Sequence, residues 1–248
     1  MNVKFLGTGG FFSTKLFNSN ALFNFGSDSS TSLLVDAGTD IKYSLRASSL
    51  TLPEFNNIYI THLHGDHFGG VEYLGFYFKY VLNKKPRLIV PLPLINDVKR
   101  ILDAVMVDIY EFFNVEVVGF VKPFLIGDVE CYILEQDHRS DIKTYGLRIK
   151  AKNRNILFSS DCTFDSLKRN IKHYQEADII FQDCETSENR SGVHTHIDDL
   201  SQLSSDLLSK MLIYHYGDEC SDDSISLKNL HKSADLRIIK QGLTYDLT

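Results

Sequence analysis

THLHGDHFGG, the stretch from Thr61 to Gly70, directly follows the apolar run from Ile58 to Ile60. It places four side chains of the kinds that ligate metal ions within six consecutive positions: His62, His64, Asp66 and His67. The apolar run is typical of a buried strand, and the glycines are typical of a turn that leads into a helix. We therefore expect a loop that binds metal at the end of a strand.

The spacing within this loop favours convergence of the four side chains. His62 and His64 are two positions apart, so in extended backbone they project from the same side. Gly65 permits a sharp reversal, after which Asp66 and His67 fall at the start of a helix. Imidazole and carboxylate suit Zn²⁺, Mn²⁺ or Fe, and the absence of cysteine argues against a closed structural zinc site. The alternative is a polar surface loop that is rich in histidine without binding metal.

Composition indicates an ordinary globular protein. The 248 residues are 43% hydrophobic and 23% charged, and no linker, repeat or low-complexity tract divides them, so we expect a single domain over residues 1–248. No apolar stretch approaches the 18 or so residues of a membrane span, and the N-terminus lacks the long apolar core of a signal peptide. We expect a cytoplasmic protein without membrane association.

Charge and cysteine content exclude further classes. The net charge is −6, from 26 basic and 32 acidic residues, whereas proteins that grip long phosphate backbones usually carry a basic excess. We therefore expect no extended nucleic-acid partner. The four cysteines are widely spaced, which argues against a disulfide framework or a thiolate zinc site. They are Cys131, Cys162, Cys184 and Cys220.

The pattern of apolar runs predicts a layered α/β protein with more than one sheet. Short runs rich in Val, Ile, Phe and Tyr predict eleven strands, at Val3–Leu6, Ser32–Val35, Ile58–Thr61, Arg87–Val90, Val115–Val121, Val129–Leu134, Tyr145–Ile149, Ile156–Phe158, Asp178–Phe181, Lys210–Tyr214 and Ala234–Ile239. Helical patterns lie between some of them, at Val71–Leu82, Leu94–Phe113, Cys162–Gln175 and Ile197–Leu208.

The H-x-H-x-D-H pattern after an apolar strand resembles the signature of the metallo-β-lactamase superfamily. That resemblance implies an α/β fold of the four-layer αββα sandwich type, with metals at one edge. Further segments match the superfamily in the same order along the chain: FLGTGG (Phe5–Gly10), LLVDAGT (Leu33–Thr39), TYGLRI (Thr144–Ile149), FSSDCTF (Phe158–Phe164) and LIYHYGDE (Leu212–Glu219). In this likeness Asp36 of the second segment helps to anchor the metal loop.

The resemblance implies two divalent metal ions, Zn²⁺ by preference, with Mn²⁺ or Fe also compatible with the ligands. One ion is held by His62, His64 and His138, and the other by Asp66, His67 and His215, while Asp161 bridges both. A hydroxide between the ions then serves as the nucleophile, so that no serine or cysteine nucleophile is required. Cys162, next to Asp161, is expected to be a small buried apolar residue.

The resemblance is most specific to the phosphodiesterases of the superfamily. The order of motifs and the bridging aspartate resemble tRNA 3′-processing endonucleases (ribonuclease Z) and their smaller phosphodiesterase relatives. GVHTHIDDL (Gly192–Leu200) is similar to the segment in which a histidine followed by Ser or Thr reaches the site. His194 takes that role here, and with the ligand Asp66 it forms the expected catalytic pair. His196 is the substrate-binding fallback, while His173 and His231 are expected to be surface or core residues.

Two features favour a small substrate over tRNA: the net charge of −6 and the short interval between two of the expected ligands. His138 and Asp161 are 161 − 138 = 23 positions apart, which leaves no room for the arm that one branch of the endonucleases inserts there. Among small-substrate relatives the chain looks like the anti-Pycsar cyclic-nucleotide phosphodiesterases, with which phages destroy a cyclic pyrimidine nucleotide signal. Phe11, Phe12 and Phe17 lie beside a glycine turn where a base could stack, although an apolar lid or a dimer contact is an equal explanation. The resemblance also implies a homodimer.

Three alternatives remain at this point. A tRNA 3′-processing endonuclease shares the motifs. A lactonase or thioesterase attacks a carbonyl carbon and has no need of an acid at His194. A metal-free scaffold protein would have lost ligands, but none of the seven ligand positions is substituted.

Overall fold

Two seven-stranded sheets pack face to face in the computed structural model, which describes residues 1–49, 55–221 and 236–248. The first sheet has the order β14-β1-β2-β3-β4-β5-β6 and the second β13-β12-β11-β10-β9-β8-β7. The strands are β1 (Asn2–Gly7), β2 (Asn20–Asn24), β3 (Ser32–Val35), β4 (Asn57–Tyr59), β5 (Arg87–Pro91), β6 (Asn114–Val118), β7 (Phe124–Ile126), β8 (Val129–Arg139), β9 (Ile142–Ala151), β10 (Arg154–Phe158), β11 (Ile179–Asp183), β12 (Met211–Tyr214), β13 (Arg237–Ile238) and β14 (Thr244–Asp246).

Both sheets change from antiparallel to parallel pairing partway across. In the first sheet β1, β2 and β3 pair antiparallel, and β3 to β6 pair parallel. In the second sheet β7 to β10 pair antiparallel, and β10 to β13 pair parallel. Parallel strands present their carboxyl ends at a common edge, where ligand sites of open α/β sheets usually lie. The predicted metal ligands all follow strands or lie near strand ends.

Aromatic side chains fill the core between the two sheets. The ring of Phe5 lies 5.3 Å from that of Phe181, and the rings of Phe158 and Tyr214 stack at 4.9 Å. All four side chains are almost completely buried, as inward-facing positions of packed sheets require. This dry core holds the strand ends that carry the candidate site in fixed positions.

Helices cover both outer faces and complete the four-layer αββα sandwich that the resemblance predicted. The first sheet is covered by α1 (Ile41–Ala47), α2 (Gly65–Phe68), α3 (Val71–Phe76), α4 (Ile95–Ala104) and α5 (Ile109–Phe112), and the second by α6 (Phe164–Arg169), α7 (Ile171–Glu176) and α8 (Ser205–Ser209). A π-helical turn, Tyr77–Val81, extends α3. None of the described helices is long and apolar enough to cross a membrane.

Three predicted helices are interrupted, and local capping explains where. The pattern Leu94–Phe113 splits into α4 and α5, since Met106 adopts a left-handed φ of 61° and the Asp108 side chain caps α5. The pattern Cys162–Gln175 begins only at Phe164, after the cap Thr163, and breaks at Asn170. The pattern Ile197–Leu208 yields a 3₁₀ turn at Asp199–Gln202 and the short α8.

Four short elements were not predicted: β2, β7, β14 and α1. Of the predicted strands, Val115–Val121 ends at Val118, and Val129–Leu134 and Tyr145–Ile149 extend into the long hairpin of β8 and β9. The last predicted strand, Ala234–Ile239, is observed as the two residues of β13, while positions 234 and 235 lie outside the described residues.

Candidate metal centre

The histidine-rich loop runs from the end of β4 into α2 and is fixed by one buried aspartate. Asp36, directly after β3, accepts hydrogen bonds from the backbone N–H of Thr61 (2.8 Å), from the Thr61 hydroxyl (2.8 Å) and from Nδ1 of His67 (2.8 Å). Three bonds to a carboxylate that is 1% exposed hold the loop against the neighbouring strand. The expected anchoring role of Asp36 therefore matches its contacts.

The first predicted ligand group converges in space. His62, His64, His138 and Asp161 each offer one nitrogen or oxygen atom, and these atoms lie within 4.8 Å of one another. The other ring nitrogen of two histidines is held from outside the group. His62 Nδ1 bonds the Thr61 hydroxyl (3.0 Å), and His138 Nδ1 bonds the carbonyl of Val193 (2.9 Å). Such outer bonds fix the ring orientation and the tautomer of metal-ligating histidines.

The second predicted group shares Asp161 with the first. Asp66, His67, Asp161 and His215 also place their donor atoms within 4.8 Å of one another. Nε2 of His67 lies 3.3 Å from both Asp66 and Asp161, and Nε2 of His215 lies 3.2 Å from Asp66. Because its carboxylate belongs to both groups, Asp161 occupies the position that a bridging ligand requires.

Three residues with left-handed backbone conformations surround these groups. Asp36 has φ 65°, Ser160 has φ 57° and His215 has φ 66°. Residues other than glycine pay for this conformation in free energy, and such strain is concentrated at functional sites. Asp36 and His215 each directly follow a strand, and Ser160 precedes Asp161, so the sharp turns aim these side chains across the sheet edge.

Buried donor atoms without protein partners show that the site fits divalent cations. Asp66 Oδ1 and Asp161 Oδ1 are buried and have no hydrogen-bond partner among the described residues. A buried carboxylate oxygen left without a partner is costly, and a bound cation would satisfy it. Imidazole and carboxylate donors in this number match zinc, manganese or iron.

Charge in the site favours a cation as well. Burial alone would lower the pKa of His215, but the Asp161 charge and the hydrogen bonds that the ring donates to Asp183 and Asp66 outweigh burial and raise that pKa to about 10. Burial lowers the pKa of His62 and His138, which keeps these two imidazoles neutral and able to ligate. The concentration of carboxylates is therefore large enough to retain a positive charge inside the protein.

Asp183 is a functional residue that the sequence analysis did not identify. It ends β11, is fully buried, and accepts hydrogen bonds from Nδ1 of His215 (3.1 Å), from Nδ1 of His194 (3.0 Å) and from the backbone N–H of Cys162 (2.9 Å). Asp161 was identified by the resemblance of FSSDCTF to a superfamily segment, whereas Asp183 follows the predicted strand Asp178–Phe181 outside all of the matched segments.

His194 lies beside both ligand groups, on a loop rather than on a strand. Its ring centroid is 4.7 Å from that of His138 and 4.8 Å from that of His215. Asp183 holds its Nδ1, so Nε2 is the ring nitrogen available to a ligand. Burial lowers the pKa of His194, but the charge of Asp183 and the hydrogen bond to it raise that pKa by more. The net shift of the His194 pKa is therefore upward. The geometry can therefore deliver a proton next to the metal groups.

A cavity of about 410 Å³ opens next to His194 and His215. Phe11 and Phe12 line it and form an edge-to-face pair with centroids 5.0 Å apart, and Phe12 is 89% exposed. Asp218 fixes their loop by accepting hydrogen bonds from Ser13 and from the backbone N–H groups of Thr14 and Lys15. The volume is that of a small-molecule site.

His173, His196 and Phe17 are not among the residues that line this cavity. His196 is 6% exposed, and both of its ring nitrogens form hydrogen bonds within its own loop. Nε2 donates to the carbonyl of Ser187 (2.9 Å), and Nδ1 accepts from the backbone N–H of Asp198 (3.2 Å). The structure therefore does not bring its ring nitrogens into the candidate site. His173 lies half-buried on α7, and His231 lies outside the described residues.

Comparison with known proteins identifies relatives over nearly the whole chain. A family model described as anti-Pycsar protein Apyc1 matches residues 1–245. A protein of that name from Paenibacillus sp. (strain J14) is 30% identical over 228 residues, which cover 88% of this chain and 90% of that protein. Another from Bacillus phage 010DV004 is 28% identical over 265 residues, which cover 100% of this chain and 98% of that protein.

Solved structures share the architecture. The metallo-β-lactamase fold protein YhfI from Bacillus subtilis superposes with a TM-score of 0.76 at 18% identity and covers 98% of each chain. The short form of human tRNase Z superposes with a TM-score of 0.71 at 18% identity and covers 100% of each chain. At these identities the likeness establishes the metallo-β-lactamase fold and nothing finer.

Proposed function

This chain belongs to the anti-Pycsar protein Apyc1 family, and we propose that it is a binuclear phosphodiesterase that opens a cyclic mononucleotide to a linear nucleoside monophosphate. Family, fold and donor groups together are those of a metal-dependent hydrolase. In this view the protein destroys a cyclic pyrimidine nucleotide signal.

One observation carries the binuclear proposal: two four-residue donor groups share Asp161. One ion would be held by His62, His64 and His138, the other by Asp66, His67 and His215, and Asp161 would contact both. We propose Zn²⁺ as the resident ion, although Mn²⁺ or Fe suits the same ligands. When bound, the ions supply Lewis-acid stabilisation of the phosphate charge and an ionised water as nucleophile.

His194 is proposed as the general acid. A leaving alkoxide needs a proton, and a histidine held by a carboxylate through Nδ1 presents its other nitrogen for that transfer. The hydrogen bond to Asp183 both orients the ring and favours its protonated form. Asp66 serves the reaction as a ligand whose own position is fixed by His67 and His215.

The cavity supports a small substrate. Phe11 and Phe12 are proposed to contact the base, because aromatic rings stack on every nucleobase. The acidic residues Glu185 and Glu219 also line the cavity, and carboxylates are suited to accept hydrogen bonds from an exocyclic amine of a base. His196 is not proposed to bind substrate, since its ring nitrogens are engaged within its own loop.

The tRNA endonuclease is the second candidate, because the fold is shared with tRNase Z. The interval between His138 and Asp161 argues against it here. Strands β9 and β10 occupy that interval and are joined by a tight turn, so no extended arm leaves the domain between His138 and Asp161. A lactonase or thioesterase remains chemically possible at such a site, whereas a scaffold role is disfavoured by the complete donor set.

The proposal is tested with metal-loaded protein and a panel of substrates: cyclic pyrimidine and purine mononucleotides, a linear dinucleotide, a lactone and a precursor tRNA. Opening of a cyclic mononucleotide, faster than any cleavage of tRNA, is the expected result. Efficient trimming of tRNA with intact cyclic nucleotides would establish the endonuclease instead. Turnover of the lactone alone would establish carbonyl chemistry.

Assembly and location are proposed on the family resemblance. We propose a homodimer in the cytoplasm of a bacterium or of a phage-infected cell, with no membrane or extended nucleic-acid partner. Exposed apolar side chains of the helical layer, including Tyr80 and Met106, offer surface that a partner protomer could cover. Sedimentation or light scattering of the purified protein distinguishes a dimer from a monomer.

A further inference from the structure

A second cavity lies on the outer face of the second sheet, beside α7. Its volume is about 270 Å³, and the residues that line it include Arg148, Lys150, Asn155, His173 and Glu176. Asn155 lies at the start of β10, whereas Asp161 follows the end of that strand. Because a strand rises about 3.3 Å per residue, the six positions from Asn155 to Asp161 separate the cavity from the metal centre by up to roughly 20 Å.

Arg148 lacks a carboxylate partner in the described part of the chain. Its Nη1 donates to Nδ1 of His173 at 3.4 Å, and its guanidinium lies over the ring of Tyr132 at 5.3 Å. Its Nε is buried and has no hydrogen-bond partner among the described residues. A buried donor of a charged group that makes no hydrogen bond is costly, which implies that an acceptor is missing from the cavity.

The surrounding charges leave the cavity cationic near Arg148. Lys150 also lies over the Tyr132 ring, at 5.1 Å, so two cations flank one aromatic side chain. Three carboxylates lie nearby: Glu130 accepts from the Tyr132 hydroxyl (3.0 Å), and Asp178 accepts from the backbone N–H of Asn155 (2.8 Å). Glu176 also lines the cavity and lies 3.7 Å from His173. Burial and the adjacent Arg148 lower the pKa of His173, which keeps that ring neutral and able to accept from the guanidinium.

We propose that this cavity binds a phosphate group, either free or carried by a small metabolite, with Arg148 as its principal ligand and Lys150 as the second cation. Arginine presents a planar fork of donors that matches phosphate oxygens in pairs. Since Nη1 is engaged by His173, the fork edge formed by Nε and Nη2 is the one left for the anion. The exposed Asn155 amide at the cavity lining can add a neutral hydrogen bond. This site is separate from the proposed reaction and does not depend on it.

The test is a titration of the metal-loaded protein followed by ¹H–¹⁵N NMR. One arm uses inorganic phosphate and the other a nucleoside 5′-monophosphate. We expect the Arg148 Nε–H and Asn155 signals to shift in a saturable way in both arms. Saturation at lower concentration in the second arm would show that the cavity also contacts the nucleoside. Shifts confined to the metal centre up to 10 mM or so of either ligand would overturn the proposal.

Two variants and one control make the assignment to Arg148 specific. Arg148→Met and Arg148→Lys should each weaken binding at the cavity about tenfold or more, because both lose the paired hydrogen bonds to an anion. Arg100→Met is the matched control, since Arg100 is exposed and pairs with Asp97 on α4. Turnover should stay at the wild-type level in all three variants, and this measurement verifies that each variant is folded. Unchanged binding in Arg148→Lys and Arg148→Met alike would refute the role of the fork.

Discussion

Asp183→Asn should reduce turnover sharply while leaving the protein folded. The Asp183 carboxylate accepts from two ring N–H groups, those of His194 and His215, and from the backbone N–H of Cys162. Asparagine has the same shape but only one acceptor oxygen. Its amide group must therefore face at least one of these donors, whichever way it is oriented.

The size of the effect follows from the bonds that are lost. A hydrogen bond to a charged group contributes about 1.5–3 kcal/mol, which corresponds to about 10- to 150-fold in kcat if the bond orients His194 for proton transfer. His215 would lose the partner of its Nδ1, and loss of such an outer bond typically weakens metal binding about 10- to 100-fold. We therefore expect both a lower kcat at saturating metal and a higher metal concentration for half-maximal activity.

The assay measures kcat and KM for a cyclic mononucleotide across a metal titration. Asp198→Asn is the matched control, because Asp198 lies in the same loop region and faces a histidine, His196, but is 61% exposed. The control should behave as the wild type. If Asp183→Asn keeps a kcat within about threefold of the wild type at ordinary metal concentrations, Asp183 does not position His194, and the reasoning fails.

Three further predictions concern single side chains. His194→Ala should lower kcat about 10²- to 10⁴-fold on a cyclic nucleotide. The loss should be much smaller on a nitrophenyl phosphodiester, because its leaving group needs no proton. Equal losses of kcat on the two substrates would assign His194 to phosphate binding. Burial raises the pKa of the Cys162 thiol to about 12, so the thiol should stay protonated at pH 9. Peptide mass spectrometry after treatment of the folded protein with iodoacetamide at pH 9 should therefore find Cys162 unmodified, and rapid alkylation would contradict this. Phe12→Ser should raise KM by about 5- to 150-fold with little change in kcat or in the melting temperature, since a stacked base is worth about 1–3 kcal/mol. Val121→Ser, at an equally exposed position, is the control and should leave KM unchanged.

The sequence predicted the parts of the site that are local or that belong to a spaced motif. The loop from His62 to His67 and the distant Asp161 converge as the resemblance implied. The sequence did not reveal the role of Asp183, because that role depends on two partners, His194 and His215, that are 11 and 32 positions further along the chain. The parallel pairing of β11 with β12 brings Asp183 and His215 to one sheet edge, and His194 reaches Asp183 from a loop.

The fold class followed from the sequence, but several boundaries did not. The pattern Leu94–Phe113 carries apolar residues at helical spacing along its whole length, and periodicity alone does not reveal the left-handed Met106 that breaks it. Strands β7 and β14 have three residues each, too few to produce a recognisable alternation. His196 matched a motif by spacing, yet the loop turns so that its ring bonds the Ser187 carbonyl, and His194 alone faces the metal groups.

The central claim is that two metal ions act together in one centre with Asp161 between them. It is tested most directly by adding Zn²⁺ in measured equivalents to metal-free protein while hydrolysis of a cyclic mononucleotide is followed. The account predicts that activity rises until two equivalents per chain are bound and then remains constant, and that Asp161→Asn abolishes the rise. Full activity at one equivalent per chain, or no hydrolysis at any zinc concentration, would contradict it.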